Sequence, residues 1–120
     1  MPVTHQHAAG QELFDALADP TRRNILELLA TRGQMSATDI YDNFNMSHPA
    51  VSQHLKVLRK AEIVRLEKNA QRRFYSLNTD TMHQLEDWIA GTTKLWDERF
   101  GRMDKVLEEE KEKELQKGGD

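Results

Sequence analysis

The chain has 120 residues, no cysteine, a formal net charge of −3 and an apolar fraction of 38%. One domain is expected, with a core thin enough that a second chain should bury part of its apolar surface. The missing cysteines exclude disulfides and thiolate metal sites; no apolar run nears the roughly 18 residues of a membrane helix, and no signal peptide is visible, so a cytoplasmic protein is expected.

Charge is unevenly placed. Residues 1–19 carry −3, residues 20–76 carry +5 and residues 77–120 carry −5. A basic centre between acidic ends can bind phosphates locally while the whole molecule stays soluble.

Residues 1–9 read as a flexible start, where His5 and His7 lack a nearby third ligand and are incidental. Leu13, Phe14 and Leu17 then recur at helical spacing over 12–18. Asp19-Pro20 reads as a cap and first helical position. The following helix, 20–31, should bury Ile25, Leu28 and Leu29, with Leu26 nearby, and Gly33 should end it in a left-handed conformation. Arg22 and Arg23 stand in its first turn, where the helix dipole disfavours them. Either they meet the phosphate of a partner or they pair with Asp19 or Glu27.

Residues 36–60 organise the chain. Ser36 with Asp39 three residues on forms a capping box, and Ala37, Ile40 and Phe44 give an apolar face. A turn follows through 44–47, with Asn45 suited to a left-handed backbone. Ser47 caps a second helix with Pro49 in its first turn. Val51, Leu55, Leu58 and Ala61 share one face of it. Ser47, His48, Ala50, Ser52, Gln53, His54 and Lys56 lie largely on the others, with no acid before Glu62. A solvated helix face ordinarily mixes Glu and Lys at spacings of four. Small residues near the start, hydrogen-bonding side chains and a lysine are what a helix needs in a DNA major groove.

Ile63–Glu67 and Arg72–Leu77 alternate as two strands of a β-hairpin. Its tip carries Lys68, Gln71, Arg72 and Arg73, which either form an ordinary solvated tip or reach the backbone or flanking minor groove of DNA, the absence of a nearby acid favouring the second. From Thr79 the pattern is helical. Leu85, Trp88, Ile89, Leu95, Trp96, Phe100, Met103, Val106 and Leu107 recur at steps of three and four, interrupted by Gly91 and Gly101. A helix through residue 112 would be about 50 Å long, more than one small domain covers. The stripe is expected to pack on the N-terminal helix and on a symmetry-related copy, an aromatic small-molecule pocket being the alternative. The dimer interface would then hold Leu13, Phe14, Leu17, Trp88, Leu95, Trp96, Phe100, Met103 and Leu107. The expected divisions are a flexible 1–9, a domain over 10–107 and a charged, fraying tail over 108–120.

Four helices, a basic hairpin and a long helix make a mainly α, winged helix-turn-helix fold. The chain resembles the ArsR-type family of bacterial repressors over roughly 10–107. Ala16-Leu17-Ala18-Asp19-Pro20-Thr21-Arg22-Arg23 and Pro49-Ala50-Val51-Ser52-Gln53-His54-Leu55-Lys56-Val57-Leu58 carry the resemblance most specifically, with Ala61-Glu62-Ile63-Val64 and Arg72-Arg73-Phe74-Tyr75-Ser76-Leu77 completing it. It implies a homodimer whose recognition helices enter successive major grooves of an imperfect palindrome in double-stranded DNA, with the residues of 47–56 named above facing DNA and the hairpin as wing.

The metal chemistry of the family does not carry over. Where many members hold a cysteine-rich sensor, this chain has Ser36, Thr38 and Tyr41, and hydroxyls are poor soft-metal ligands. A second subgroup uses Asp-x-His and His-x-x-Glu on the last helix; here two residues separate Asp80 from His83 and no second His follows. No metal or cofactor is expected, and no motif selects a small-molecule or protein effector. No catalytic constellation is visible, so an enzyme is not expected. The competing reading is a winged-helix module for protein contacts; the basic recognition helix and wing argue against it.

Overall fold

The computed structural model describes the backbone of residues 2–118 and the side chains of 10–101 and 105–116. His5, His7 and Met103 lie outside the described side chains. The elements in order are α1 (Pro2–Leu17), α2 (Pro20–Arg32), β1 (Met35–Ser36), α3 (Ala37–Tyr41), α4 (His48–Lys60), β2 (Val64–Asn69), β3 (Arg72–Leu77) and α5 (Thr79–Gly118). They form two compact units, Met1–Met82 and His83–Asp120.

The first unit has a closed core. Ala16 of α1, Ile25, Leu26 and Leu29 of α2, Ile40 of α3 and Val51, Leu55 and Leu58 of α4 meet Met35, Ile63, Val64 and Tyr75. Of the residues expected inside α2, Leu28 is only partly buried and Leu26 takes the deeper place.

Local chemistry sets the helix ends. The Asp19 carboxylate accepts from the Arg22 N–H at 3.0 Å, the Ser36 hydroxyl from the Asp39 N–H at 3.2 Å and the Ser47 hydroxyl from the Ala50 N–H at 3.3 Å. Each side-chain oxygen satisfies an N–H that the helix itself leaves open. Gly33 does carry a positive φ of 79°, but its ψ of −146° is extended rather than left-handed helical. Its N–H still closes on the Leu29 carbonyl at 2.8 Å.

Three expectations are corrected. α3 ends at Tyr41, before Phe44. Asn45 is not left-handed: among the described residues the only non-glycine positions with positive φ are Glu62 and Ala70. The hairpin is also not alone. β1 joins it to give a three-stranded antiparallel sheet in the order β1-β3-β2, with Met35 opposite Tyr75 and Ser36 opposite Phe74.

Glu62 explains how α4 turns into the wing. Its N–H bonds the Arg59 carbonyl at 2.9 Å and the Ile63 N–H bonds the Leu58 carbonyl at 3.1 Å. This is a Schellman ending, with Glu62 at the left-handed position (φ 61°) where glycine is usual. Leu58 and Ile63, both fully buried, make the apolar contact that accompanies it. The Glu62 carbonyl then accepts from the Asn78 amide at 2.8 Å and the Thr81 hydroxyl at 2.7 Å. That fixes the root of the hairpin.

The second unit is helical through Gly118, uninterrupted at Gly91 or Gly101. A Cβ added at either glycine would meet nothing within 4 Å. Trp88, Ile89, Leu95, Trp96, Val106 and Leu107 are all at least half exposed. The Trp96 and Phe100 rings lie 4.0 Å apart between centroids.

Candidate nucleic-acid interface

α4 is seated by Val51, Leu55 and Leu58, each no more than 1% exposed. At 100° per residue, Gln53, Lys56 and Lys60 fall on the face opposite that seat. Ser47, His48, Ser52, Gln53 and Lys56 are exposed, and Ala50 is half-buried. Lys60 and its neighbour Arg59 extend the basic surface into the last turn, where the helix dipole favours cations. Neither was anticipated as a contact residue, although both continue the acid-free polar face that begins at Ser47.

His54 stands apart from the others. It is half-buried and faces α2 instead, its Nδ1 3.7 Å from Asp19 Oδ2 and 3.4 Å from an Arg22 guanidinium nitrogen. It therefore links α4 to the start of α2. The Asp19 carboxyl is held below the usual aspartate value by the backbone hydrogen bond from Arg22, against some desolvation, with the charges of His54 and Arg22 adding to the effect. A lowered value means that this cap stabilises the fold while ionised, and its contribution fades as pH falls below the ordinary aspartate range.

Arg22 and Arg23 have a role that neither sequence reading supplied. Arg22 donates from Nε to the Ala16 carbonyl at 2.7 Å and from a terminal nitrogen to the Asp15 carbonyl at 2.9 Å; Arg23 donates to the Leu17 carbonyl at 2.7 Å. Together they cap the open carbonyls at the C-terminal end of α1. A cation in the disfavoured first turn of α2 thus sits at the favourable end of α1.

The wing is a two-residue hairpin. Asn69 stands opposite Arg72 and Lys68 opposite Arg73, leaving Ala70 and Gln71 as the loop. Lys68, Gln71, Arg72 and Arg73 are all exposed. Like charges directly opposite across strands destabilise a hairpin, so Lys68 against Arg73 is a local cost. Arg72 lies over the Phe74 ring at 5.3 Å, a cation–π contact along the same strand. Glu67, the nearest acid, accepts a long 3.4 Å hydrogen bond from Gln34.

The residues named for self-association divide between the units. Leu13 and Leu17 pack partly against the core of their own chain, while Phe14 is 42% exposed. Trp88, Leu95, Trp96 and Leu107 are exposed on α5 and Phe100 is half-buried. Among the described residues no three His, Cys, Asp or Glu side chains come together as a metal group. Asp80 bonds Arg65 at 3.2 Å, and the His83 ring lies 3.7 Å from Glu86. No described helix is long and apolar enough to cross a membrane.

Known proteins share this architecture and its sequence. The family model described as bacterial regulatory protein, arsR family, matches residues 19–65, from the α2 cap to the start of β2. The transcriptional repressor SdpR of Bacillus subtilis is 43% identical over 77 residues, covering 64% of this chain and 84% of that protein. The arsenical resistance operon repressor of Staphylococcus xylosus is 36% identical, covering 64% of this chain and 69% of that one. A solved ArsR family transcriptional regulator superposes with a TM-score of 0.68 at 29% identity, covering 75% of this chain and 92% of its own. The chain belongs to the arsR family of bacterial regulatory proteins, DNA-binding regulators of transcription.

Proposed function

We propose that the protein is a homodimeric, sequence-specific repressor in the cytoplasm that occludes a promoter, its own included. The observation that carries this reading is the outer face of α4. It is capped at Ser47, seated by a closed core, and offers Gln53, Lys56 and Lys60 without an acid. In this reading Ser47, His48, Ala50, Ser52 and Gln53 approach base edges, and Lys56 meets phosphate. Lys68, Gln71, Arg72 and Arg73 bring the wing to the flanking backbone. Arg22 and Arg23 contribute to phosphate only through donors left over from capping α1, and His54 acts by holding α4 against α2. The stripe on α5 pairs two copies, so that two α4 helices span an imperfect palindrome.

The test is fluorescence anisotropy of the purified protein on its own upstream DNA, with random duplex as control, across a salt series. The expected result is tight, salt-sensitive binding that prefers the upstream duplex by about 10³ or more. Equal weak binding to both duplexes would overturn autoregulation. An absence of binding at low salt would favour the use of this winged helix for protein contacts.

A further inference from the structure

Tyr41, the last residue of α3, is half-buried against the core, and its far end reaches α4 twice. Its hydroxyl lies 2.6 Å from Ser52 Oγ. Its ring stacks on the His48 imidazole at 4.4 Å between centroids and 15° between planes. His48 and Ser52 are four residues apart, one turn of the exposed recognition helix.

We infer that Tyr41 is a positioning residue for sequence readout: it fixes the His48 ring and orients the Ser52 hydroxyl as a hydrogen-bond donor toward a base. The inference rests on the reading of α4 as the base-contacting helix. Left alone, a serine hydroxyl rotates freely and serves equally as donor or acceptor. A phenol is the stronger donor of the two hydroxyls, so it donates to Ser52 Oγ and leaves the serine hydrogen to point outward. That hydrogen suits an acceptor on a base edge, a purine N7, guanine O6 or thymine O4, rather than the amino group of adenine or cytosine. The stack removes rotational freedom from His48 before DNA arrives, so less ordering remains for the complex to impose.

Tyr41→Phe keeps the ring and the stack and removes only the hydroxyl. Wild type and variant are each used to select duplexes from a random-sequence library. Affinities are then measured on the wild-type selected duplex and on random duplex. The expected result is a loss of about five-fold in preference for the selected duplex, the scale of one hydrogen bond, with one base-pair position becoming degenerate. Random-duplex affinity and its salt slope stay unchanged, which a merely structural role would not predict. Ser52→Ala should lose the same preference, and the double variant should lose no more than either alone, since both remove one coupled contact. Full preference in Tyr41→Phe, or equal loss on both duplexes, overturns the inference. A wild type that selects no sequence overturns the DNA reading of α4 and this inference with it, an outcome distinct from the other two.

Discussion

The two units treat their apolar residues in opposite ways. In the first, Ile25, Leu29, Ile40, Val51, Leu55, Leu58 and Ile63 are essentially inaccessible, and the outward surface of α4 and the wing is polar and basic. In the second, Leu95 is 69% and Trp96 62% exposed on a helix whose remaining faces are heavily charged. One region satisfies its own hydrophobic demand and frees its polar surface for a charged partner. The other leaves an apolar stripe of the kind that isolated soluble helices do not maintain in water. The polar, basic surface of the first unit and the apolar stripe of the second are therefore distinct, and substitutions in each should fail in different assays.

The sharpest break comes from the stripe. Trp96→Ala should weaken self-association by about 2–4 kcal/mol if that ring anchors the interface between copies. Sedimentation would show a shift toward monomer, with the first unit still folded by circular dichroism. Unaltered association would remove Trp96 from the interface. Next is Gln53→Ala, expected to cost roughly 1–3 kcal/mol on a specific duplex while random-duplex binding holds. Equal loss on both would show that Gln53 does not read a base. A smaller and more uniform effect is expected from Arg72→Ala combined with Arg73→Ala. Affinity should fall on all sequences, and the slope of log affinity against log salt should flatten by about 2. An unchanged slope would put the wing tip away from phosphate.

Much of the first unit was legible because its signals are short-range. Asp19, Ser36 and Ser47 each cap the helix beginning just after them, and a cap depends only on a side chain reaching an N–H three residues on. The seat of α4 was legible from the period of Val51, Leu55 and Leu58. What escaped depends on distant or backbone geometry. β1 is two residues long and has no period to read; it exists because β3 offers it an edge. Arg22 and Arg23 were visible as odd cations, but their partners are main-chain carbonyls, which no residue type announces. His54 shares the polar character of Gln53, and only the placement of α2 turns it inward. Tyr41 looked like a substituted sensor position, and its contacts with His48 and Ser52 appear only once α3 and α4 are folded together.

Positive φ at non-glycine residues gives a weaker probe, confined to the first unit. Glu62 and Ala70 hold φ of 61° and 58°, a conformation that costs an L-residue roughly 1–2 kcal/mol. Glu62→Gly and Ala70→Gly should each raise the stability of the fold by about 1 kcal/mol in chemical denaturation, less the extra chain entropy that glycine brings. Neither should alter self-association, because both positions belong to the wing and its root. A change in oligomeric state with either substitution would mean that the two surfaces are coupled through the hairpin.

The smallest effect tests the other side of the comparison. Gly91 lies inside α5, where glycine costs about 1 kcal/mol relative to alanine, and a Cβ there meets nothing within 4 Å. By helical phase it lies about 40° from Leu95 and about 140° from Trp96, at one edge of the stripe. If the interface is centred on the Trp96 side of the stripe, Gly91→Ala should stiffen the helix, raise thermal stability by a few degrees at most and leave the association constant unchanged. Weakened association would show that the second copy, or another element, approaches the Gly91 face closely enough to need the missing side chain. The interface would then reach across the Leu95 edge of the stripe rather than stay on its Trp96 side. That would explain why glycine, a poor helix former, stands inside this uninterrupted helix.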